Sequence, residues 1–459
     1  MKMSTGGSFP PGFVWGVATS SYQIEGATDI AGRGDSVWDH FCRTPGKVWH
    51  QHSGGAACEH FQRMNEDVAI MAELGMKAYR FSVAWPRVIP TGNGSINVQG
   101  LDFYDHLVDQ LLAAGITPWV TLFHWDYPQA LQEQGGWLNP ESPRWFQNYV
   151  EVVAARLADR VDHWITLNEP QCFIGLGLGR GVHAPGEKLP LKELLLAAHH
   201  TLLAHGRAVQ TIRAAADRPV QVGFAPVGLV SIPATRQEAD IIAARSAMFK
   251  ATGAELGEVW SNTWWADAAI LGRYPSDGVE AYRAVMPAFS SEEFKTISQP
   301  LDFYGVNIYS GERVRAGLTG LPEKLPSPPE TPHTHLLWEV RPESLYWGAR
   351  FLAERYRLPI VITENGMSNV DWPSLDSRVS DPQRVDFTRR YLRELRRAIG
   401  EGVDVRGYFH WSLLDNFEWA EGYKHRFGLV YVDFATQQRI VKDSGRWYAE
   451  VIRSNGSSL

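Results

Sequence analysis

Strand-like and helix-like segments alternate along most of this chain, and that alternation restricts the possible folds more than any other feature. Phe61, Met64, Val68 and Met71 recur at helical spacing, and Gly75 ends the run. Ala78 to Ser82 follows as a strand by alternation, with Arg80 and Ser82 on one face and Tyr79 and Phe81 on the other. Tyr104, Leu107 and Leu111 mark a second helix closed by Gly115, and Pro118 to Phe123 reads as the next strand. Phe146, Val150, Val153 and Leu157 make a third helix before a strand at His163 to Leu167. Further strands are expected at Phe13–Ala18, Val220–Ala225, Asp302–Asn307, Ile360–Thr363 and Val405–Phe409. Eight strands separated by helices predict a parallel sheet closed into a (β/α)8 (TIM) barrel, with long loops at the C-terminal face of the strands. An open doubly wound sheet is the alternative on pattern alone, but no glycine-rich dinucleotide fingerprint or phosphate loop accompanies it.

Barrels with expanded loops run long as single domains, so the 459 residues are expected to form one catalytic domain, 1–459. The proline-rich stretch Gly320–Pro332 is read as a surface loop after strand six, and Arg453–Leu459 as a frayed tail. The net charge is −7 without a basic stretch, which argues against nucleic acid or an anionic membrane as a partner. No apolar run reaches 18 residues, and Met1–Pro10 lacks a signal-peptide core. Cys42, Cys58 and Cys172 have neither disulfide nor zinc spacing, and a cytoplasmic location is expected. His199, His200 and His205 share an apolar helix without an acidic partner, which predicts packing and no metal. Asn93-Gly94-Ser95 and Asn455-Gly456-Ser457 fit glycosylation sequons but are read as plain loops. No cofactor is expected. Monomer and homo-oligomer both remain open.

Chemistry-bearing residues gather where the predicted strands end. These are His124-Trp125-Asp126, Asn168-Glu169-Pro170, Asn307 with Tyr309, Glu364-Asn365-Gly366 and His410-Trp411. In a barrel, such ends form one ring around the active site. Glu169 and Glu364, after strands four and seven, would face each other across it. Two facing carboxyls meet the needs of glycoside hydrolysis, in which one donates a proton and the other attacks or stabilises the anomeric carbon. An inward Arg80 near Glu364 would keep that carboxylate ionised.

Seven blocks, in order and nearly end to end, then define a resemblance. They are FVWGVATSSYQIEG at Phe13–Gly26, YRFS at Tyr79–Ser82, HWD at His124–Asp126, TLNEP at Thr166–Pro170, HAPG at His183–Gly186, ITENG at Ile362–Gly366 and HWSLLDNFEW at His410–Trp419. The chain resembles glycoside hydrolase family 1, the β-glucosidase and β-galactosidase family. The resemblance implies retaining hydrolysis of terminal β-D-glucosyl residues from β-glucosides and cello-oligosaccharides, extending to β-galactosides and β-fucosides. It assigns Glu169 as acid/base and Glu364 as nucleophile, with Arg80 and Tyr309 beside the nucleophile. Gln23, His124, Asn168, Glu418 and Trp419 match the residues that bind the non-reducing sugar, and Trp411 matches the platform beneath it. Trp125, which lies in the HWD block, and Asn307 and Phe427 are also site positions, and Trp338 matches the wall of the aglycone subsite. Ile308 departs from the family's usual aromatic, and Glu59 from its usual Asp.

Three other functions share this pattern. A sugar-binding pseudo-enzyme would keep the pocket but not both glutamates. A 6-phospho-β-glycosidase needs cations where this chain has Glu418-Trp419-Ala420, and a carboxylate there repels phosphate. A transglycosylase shares the covalent intermediate and differs only in the acceptor.

Overall fold

The computed structural model describes residues 7–459, so the reading of Met1–Pro10 falls partly outside the described residues. Eight strands form one sheet: β1 (Val14–Ala18), β2 (Ala78–Ser82), β3 (Thr117–Thr121), β4 (His163–Asn168), β5 (Gln221–Ala225), β6 (Tyr304–Asn307), β7 (Ile360–Asn365) and β8 (Val405–Trp411). Each falls on a predicted strand. The order around the sheet is β5-β4-β3-β2-β1-β8-β7-β6, and every ladder is parallel. The remaining seam, between β5 and β6, closes through a few main-chain bonds. Asp302 N donates to Val222 O at 2.9 Å, Asn307 N to Pro226 O at 3.1 Å and Gly228 N to Asn307 O at 2.8 Å. Glycine is required at this seam, because a Cβ on Gly305 would lie 2.7 Å from the Phe224 carbonyl oxygen.

Helices α1 (His60–Glu73), α2 (Val98–Ala113), α3 (Ser142–Leu157) and α4 (Leu191–Ala215) link the first five strands. Several shorter helices lie between β5 and β6. Helix α5 (Glu343–Tyr356) precedes β7, α6 (Pro382–Gly400) precedes β8, and α7 (Asp443–Arg453) follows it. Each long helix buries one apolar stripe; in α2 it is Leu101, Tyr104, Leu107, Val108 and Leu111.

Alternation along the strands sorts their residues between two cores. Tyr79 and Phe81 face outward into the layer under the helices. Ala78 faces the barrel interior together with Ala18, Trp119, Ile165, Ala225, Phe303, Val361 and Phe409. Trp119 fills the interior, its ring 5.3 Å from Phe303 and 5.0 Å from Phe409. Above this floor, in phase with Ala78, stands Arg80. Most of the aromatic residues are packing material: thirteen of the eighteen tryptophans are buried.

Two sequence expectations need correction. Gly320–Pro332 is not all loop, since Pro322–Lys324 pairs antiparallel with Glu312–Ala316, which in turn runs parallel to Ser231–Pro233. Pro322 is tolerated there because it opens the strand. The segment Arg453–Leu459 is not frayed. Asn455 pairs with Phe9 through both main chain (Phe9 N to Asn455 O, 2.9 Å) and side chain (Asn455 Nδ2 to Phe9 O, 2.7 Å), and it accepts from Trp15 Nε1 at 2.9 Å. Those bonds anchor the chain end beneath β1 and occupy the Asn455 amide.

The histidines of α4 pack as single residues. His199 meets the Tyr274 hydroxyl and, against the expectation of no acidic partner, lies 3.7 Å from Glu293 Oε1, while His200 meets the Trp137 carbonyl and His205 the Thr166 hydroxyl. Ile308 is fully buried where two glycines make room, with its Cγ1 against Gly228 and its Cδ1 against Gly348. Among the described residues, no helix is long and apolar enough to cross a membrane.

Candidate active site

The C-terminal ends of the strands converge on two carboxyl groups. Glu169 follows β4 directly and has a left-handed backbone (φ 46°), beyond a shift in the β4–β5 register after Ile165. Glu364 lies in β7, beyond a register shift after Ile362. Such irregularities re-aim side chains that strict alternation would send elsewhere. Gly366 permits the sharp exit after Glu364, because a Cβ there would lie 1.9 Å from the Trp411 carbonyl oxygen.

The two carboxyls have different partners. Arg80, fully buried, donates from Nη1 to Glu364 Oε1 at 2.6 Å and to the Thr363 carbonyl at 3.0 Å. Its Nε donates to Thr121 Oγ1 and its Nη2 to Asn168 Oδ1. The Tyr309 hydroxyl donates to Glu364 Oε2 at 2.7 Å. Glu364 therefore has a cation and a phenol. Glu169 has only neutral donors, with Asn307 Nδ2 on Oε1 at 2.9 Å and the Cys172 thiol on Oε2 at 3.3 Å.

Burial raises both carboxyls, and this difference in partners separates them. Burial first, and then the Glu364 charge, push the Glu169 carboxyl up to about 8. For Glu364 the Arg80 charge is the largest force opposing burial, followed by the Tyr309 hydrogen bond. The proton shared by the pair therefore belongs on Glu169.

The other predicted residues surround this pair. Asn307 was expected to be a site position for the sugar, yet its amide is occupied, bridging Glu169 and Asn168 Oδ1 (3.0 Å). Asn168 Nδ2 contacts His124 Nε2 at 3.1 Å. Burial and the Arg80 charge hold His124 well below its usual value, so the ring is neutral, accepts at Nε2 and carries its proton on Nδ1. His124 lies between Trp411 and Trp419, with ring centroids at 5.8 and 5.9 Å, and Trp125 packs on Trp419 at 4.4 Å. On the opposite side, Tyr309, Trp338 and Phe427 form a second aromatic group, with Tyr309 and Trp338 5.0 Å apart and Trp338 partly exposed.

Glu418 hangs from the loop after β8. Gln23 holds that loop by donating from Nε2 to Asn416 Oδ1 and the Phe417 carbonyl. Both Gln23 amide protons are thus committed to protein, and Ser20 donates to Oε1, which keeps one lone pair for a ligand. The loop is also held from behind. Asp415 accepts from Lys442 Nζ at 2.6 Å and Arg426 Nη1 at 2.7 Å, and Lys442 also reaches Asp371. Glu418 Oε2 is shielded from solvent and has no hydrogen-bond partner. Burial, then the Glu364 and Glu169 charges, push its carboxyl up to about 8.

All the residues singled out from the sequence thus belong to one connected cluster. Sequence reasoning missed Thr363, whose hydroxyl donates to Asn307 Oδ1 at 2.6 Å and so turns the amide nitrogen toward Glu169. It also missed Cys172 as a neighbour of Glu169. The available signal was the spacing of three residues at the start of a helical segment, Gln171–Arg180. Among the described residues, no group of three His, Cys, Asp or Glu side chains is arranged to hold a metal ion.

Known proteins match this chain over nearly its whole length. The chain is 43% identical over 449 residues to Beta-glucosidase A of Thermotoga maritima, covering 98% of each chain. It is 42% identical over 452 residues to a 1,4-beta-D-glucan glucohydrolase of Thermotoga neapolitana, covering 98% of this chain and 99% of the relative. A solved structure of a Thermotoga maritima β-glucosidase in complex with galacto-hydroximolactam superimposes with a TM-score of 0.89 at 42% identity, covering 98% of this chain and 99% of that one. The family model described as Glycosyl hydrolase family 1 matches residues 5–457. With that reach in sequence and in structure, the chain belongs to glycosyl hydrolase family 1.

Proposed function

We propose that this enzyme is a retaining β-glucosidase that removes terminal non-reducing β-D-glucosyl residues from β-glucosides and cello-oligosaccharides. One observation carries the reading: of two buried carboxyls, Glu364 is held by a guanidinium and a phenol, and Glu169 by an amide and a thiol. The ionised Glu364 attacks the anomeric carbon, and Glu169 gives its proton to the departing oxygen. In the second step Glu169, now a carboxylate, takes a proton from water as the water oxygen displaces Glu364. Two inversions return the β configuration.

Asn168 and His124 Nδ1 would hold the sugar's hydroxyls beside Glu169. Glu418 would bridge two adjacent hydroxyls at the far end of the ring, Trp411 and Trp419 would line its faces, and Trp338 would border the aglycone. The galacto-configured ligand of the Thermotoga maritima relative supports acceptance of β-galactosides, and the single free lone pair of Gln23 leaves room for an axial hydroxyl. β-Fucosides would lose only one Glu418 contact. Residues 1–459 would act as one catalytic domain. The three free, buried cysteines support a reducing, cytoplasmic setting.

A 2-deoxy-2-fluoro-β-glucosyl fluoride tests the reading. It should trap a covalent adduct on Glu364, and proton NMR should reveal the β anomer as the first sugar released from an ordinary substrate. Label on another residue, or an initial α product, would withdraw the proposal.

A further inference from the structure

The thiol on Glu169 belongs to no motif. Cys172 Sγ lies 3.3 Å from Glu169 Oε2, and the Cys172 main-chain nitrogen donates to the Glu169 carbonyl at 2.9 Å. The two residues are thus coupled through side chain and backbone where the chain turns from β4 into Gln171–Arg180. Cys172 is buried, and burial together with the Glu169 charge keeps the thiol protonated far above neutral pH. The sulfur is therefore a hydrogen-bond donor and not a nucleophile. Oε1 already has its own donor in Asn307.

We propose that Cys172 is a positioning residue for the general acid/base: its S–H fixes Oε2 of Glu169, favours the ionised carboxylate and so sets the alkaline edge of activity. This rests on the assignment of Glu169 given above. The donor's weakness suits the task. Glu169 must hold a proton for the first step and be ionised for the second. A thiol steadies the carboxylate between the steps without keeping it ionised at neutral pH, as a stronger donor would.

The other groups around Glu169 come from different strands. Arg80 on β2 and Asn307 on β6 favour its ionised form, Glu364 on β7 opposes it, and Glu418 after β8 adds a like charge when ionised. His124 after β3 is neutral, and Tyr309 after β6 is engaged with Glu364. Cys172 is the one donor to Oε2 among the described residues.

The test is the pH dependence of kcat/KM for a β-glucoside with a poor leaving group, in Cys172→Val, Cys172→Ala and Cys172→Ser. Valine keeps the volume and removes the donor, so the alkaline limb should move up by about half a pH unit. Serine restores a donor and should bring the limb back to, or below, the wild-type position. An unmoved or lowered limb in Cys172→Val, whatever its rate, would reduce the thiol to a space filler and overturn the proposal. Should valine prevent folding, the alanine and serine limbs decide. A higher limb in alanine supports the role, and coincident limbs refute it. Azide rescue of Glu169→Ala, run alongside, separates the two claims. If rescue fails, the acid/base assignment falls; if it succeeds and the limbs stay fixed, only the thiol's role falls.

Discussion

Replacing Arg80 should collapse the working pH range of the enzyme from its acid side. Arg80 Nη1 is 2.6 Å from Glu364 Oε1, with the guanidinium fully buried and the carboxyl nearly so. Two unit charges about 4 Å apart, at an effective dielectric near 20, attract by roughly 4 kcal/mol. Burial already raises Glu364, and Arg80 is the largest opposing influence. In Arg80→Met the acid limb of kcat/KM should therefore climb toward higher pH, because the largest force that keeps Glu364 ionised is gone. Arg80 also favours the ionised form of Glu169, but as the smallest of the influences on it, so the alkaline limb moves less and the acid limb closes on it. The form with Glu364 ionised and Glu169 protonated becomes scarcer, and peak activity falls by roughly three- to tenfold from protonation alone. Arg80→Lys keeps the charge but cannot serve Thr121, Thr363, Asn168 and Glu364 together, so its limb should stay within about one unit of wild type while the rate drops. The assay is hydrolysis of phenyl β-glucoside from pH 4 to 10, since an unactivated leaving group needs the Glu169 proton and so reports both limbs. Circular dichroism at each pH guards against unfolding, because stripping one partner from a buried pair costs about 3–5 kcal/mol. A uniform loss of rate in Arg80→Met, with the acid limb in its wild-type place, would refute the electrostatic reasoning.

Glu364→Gln should lower kcat more than about a thousandfold while leaving the thermal unfolding curve cooperative, and a fall of less than tenfold would exclude it as nucleophile. Glu169→Ala should slow alkyl glucosides far more than dinitrophenyl glucoside, and added azide should yield a β-glucosyl azide. Equal losses without rescue would count against the acid role. Preference for neutral over 6-phosphorylated nitrophenyl β-glucoside should widen as pH rises from 6 to 9, because Glu418 ionises near 8 while the phosphate is already charged. The ratio of kcat/KM values cancels the shared titration of Glu169, and a ratio that is flat or falls with pH would remove Glu418 from the 6-position.

The regular parts of the molecule were readable because they obey two periods. All eight barrel strands lie where alternation and helix stops put them, and Arg80 points inward because it shares the phase of Ala78. The residues around the carboxyls were readable as strand ends, but their bonding was not. Alternation implies that Thr363 and Glu364 face opposite ways, yet the shifted register in β7 lets Thr363 orient Asn307 while Glu364 meets Arg80. Asn307 was read as a site position, and its amide tethers Glu169, a contact between β6 and β4 that no local spacing encodes. The same limit hid the end of the chain, where Asn455 finds Phe9 across more than four hundred residues.

Charge state is the property least accessible to counting. The sequence supplies Glu169, Glu364 and Glu418 as three formal negative charges. The fold places them in one cleft with Arg80, the one cation there among the described residues, and a histidine that burial and then the same guanidinium keep neutral. One carboxylate can be ionised there at modest cost, and the hydrogen bonds from Arg80 and Tyr309 choose Glu364. The other two are held protonated by burial and by that first charge. For Glu169 this is the state that catalysis requires. For Glu418 it changes the argument against phosphorylated substrates. A protonated Glu418 does not repel phosphate by charge, so below about 8 the exclusion would rest on the unmet solvation of a dianion in a cleft that offers no spare cation among the described residues. Rejection of phosphate and activation of the proposed acid would thus be two consequences of one arrangement: a cation already committed to Glu364.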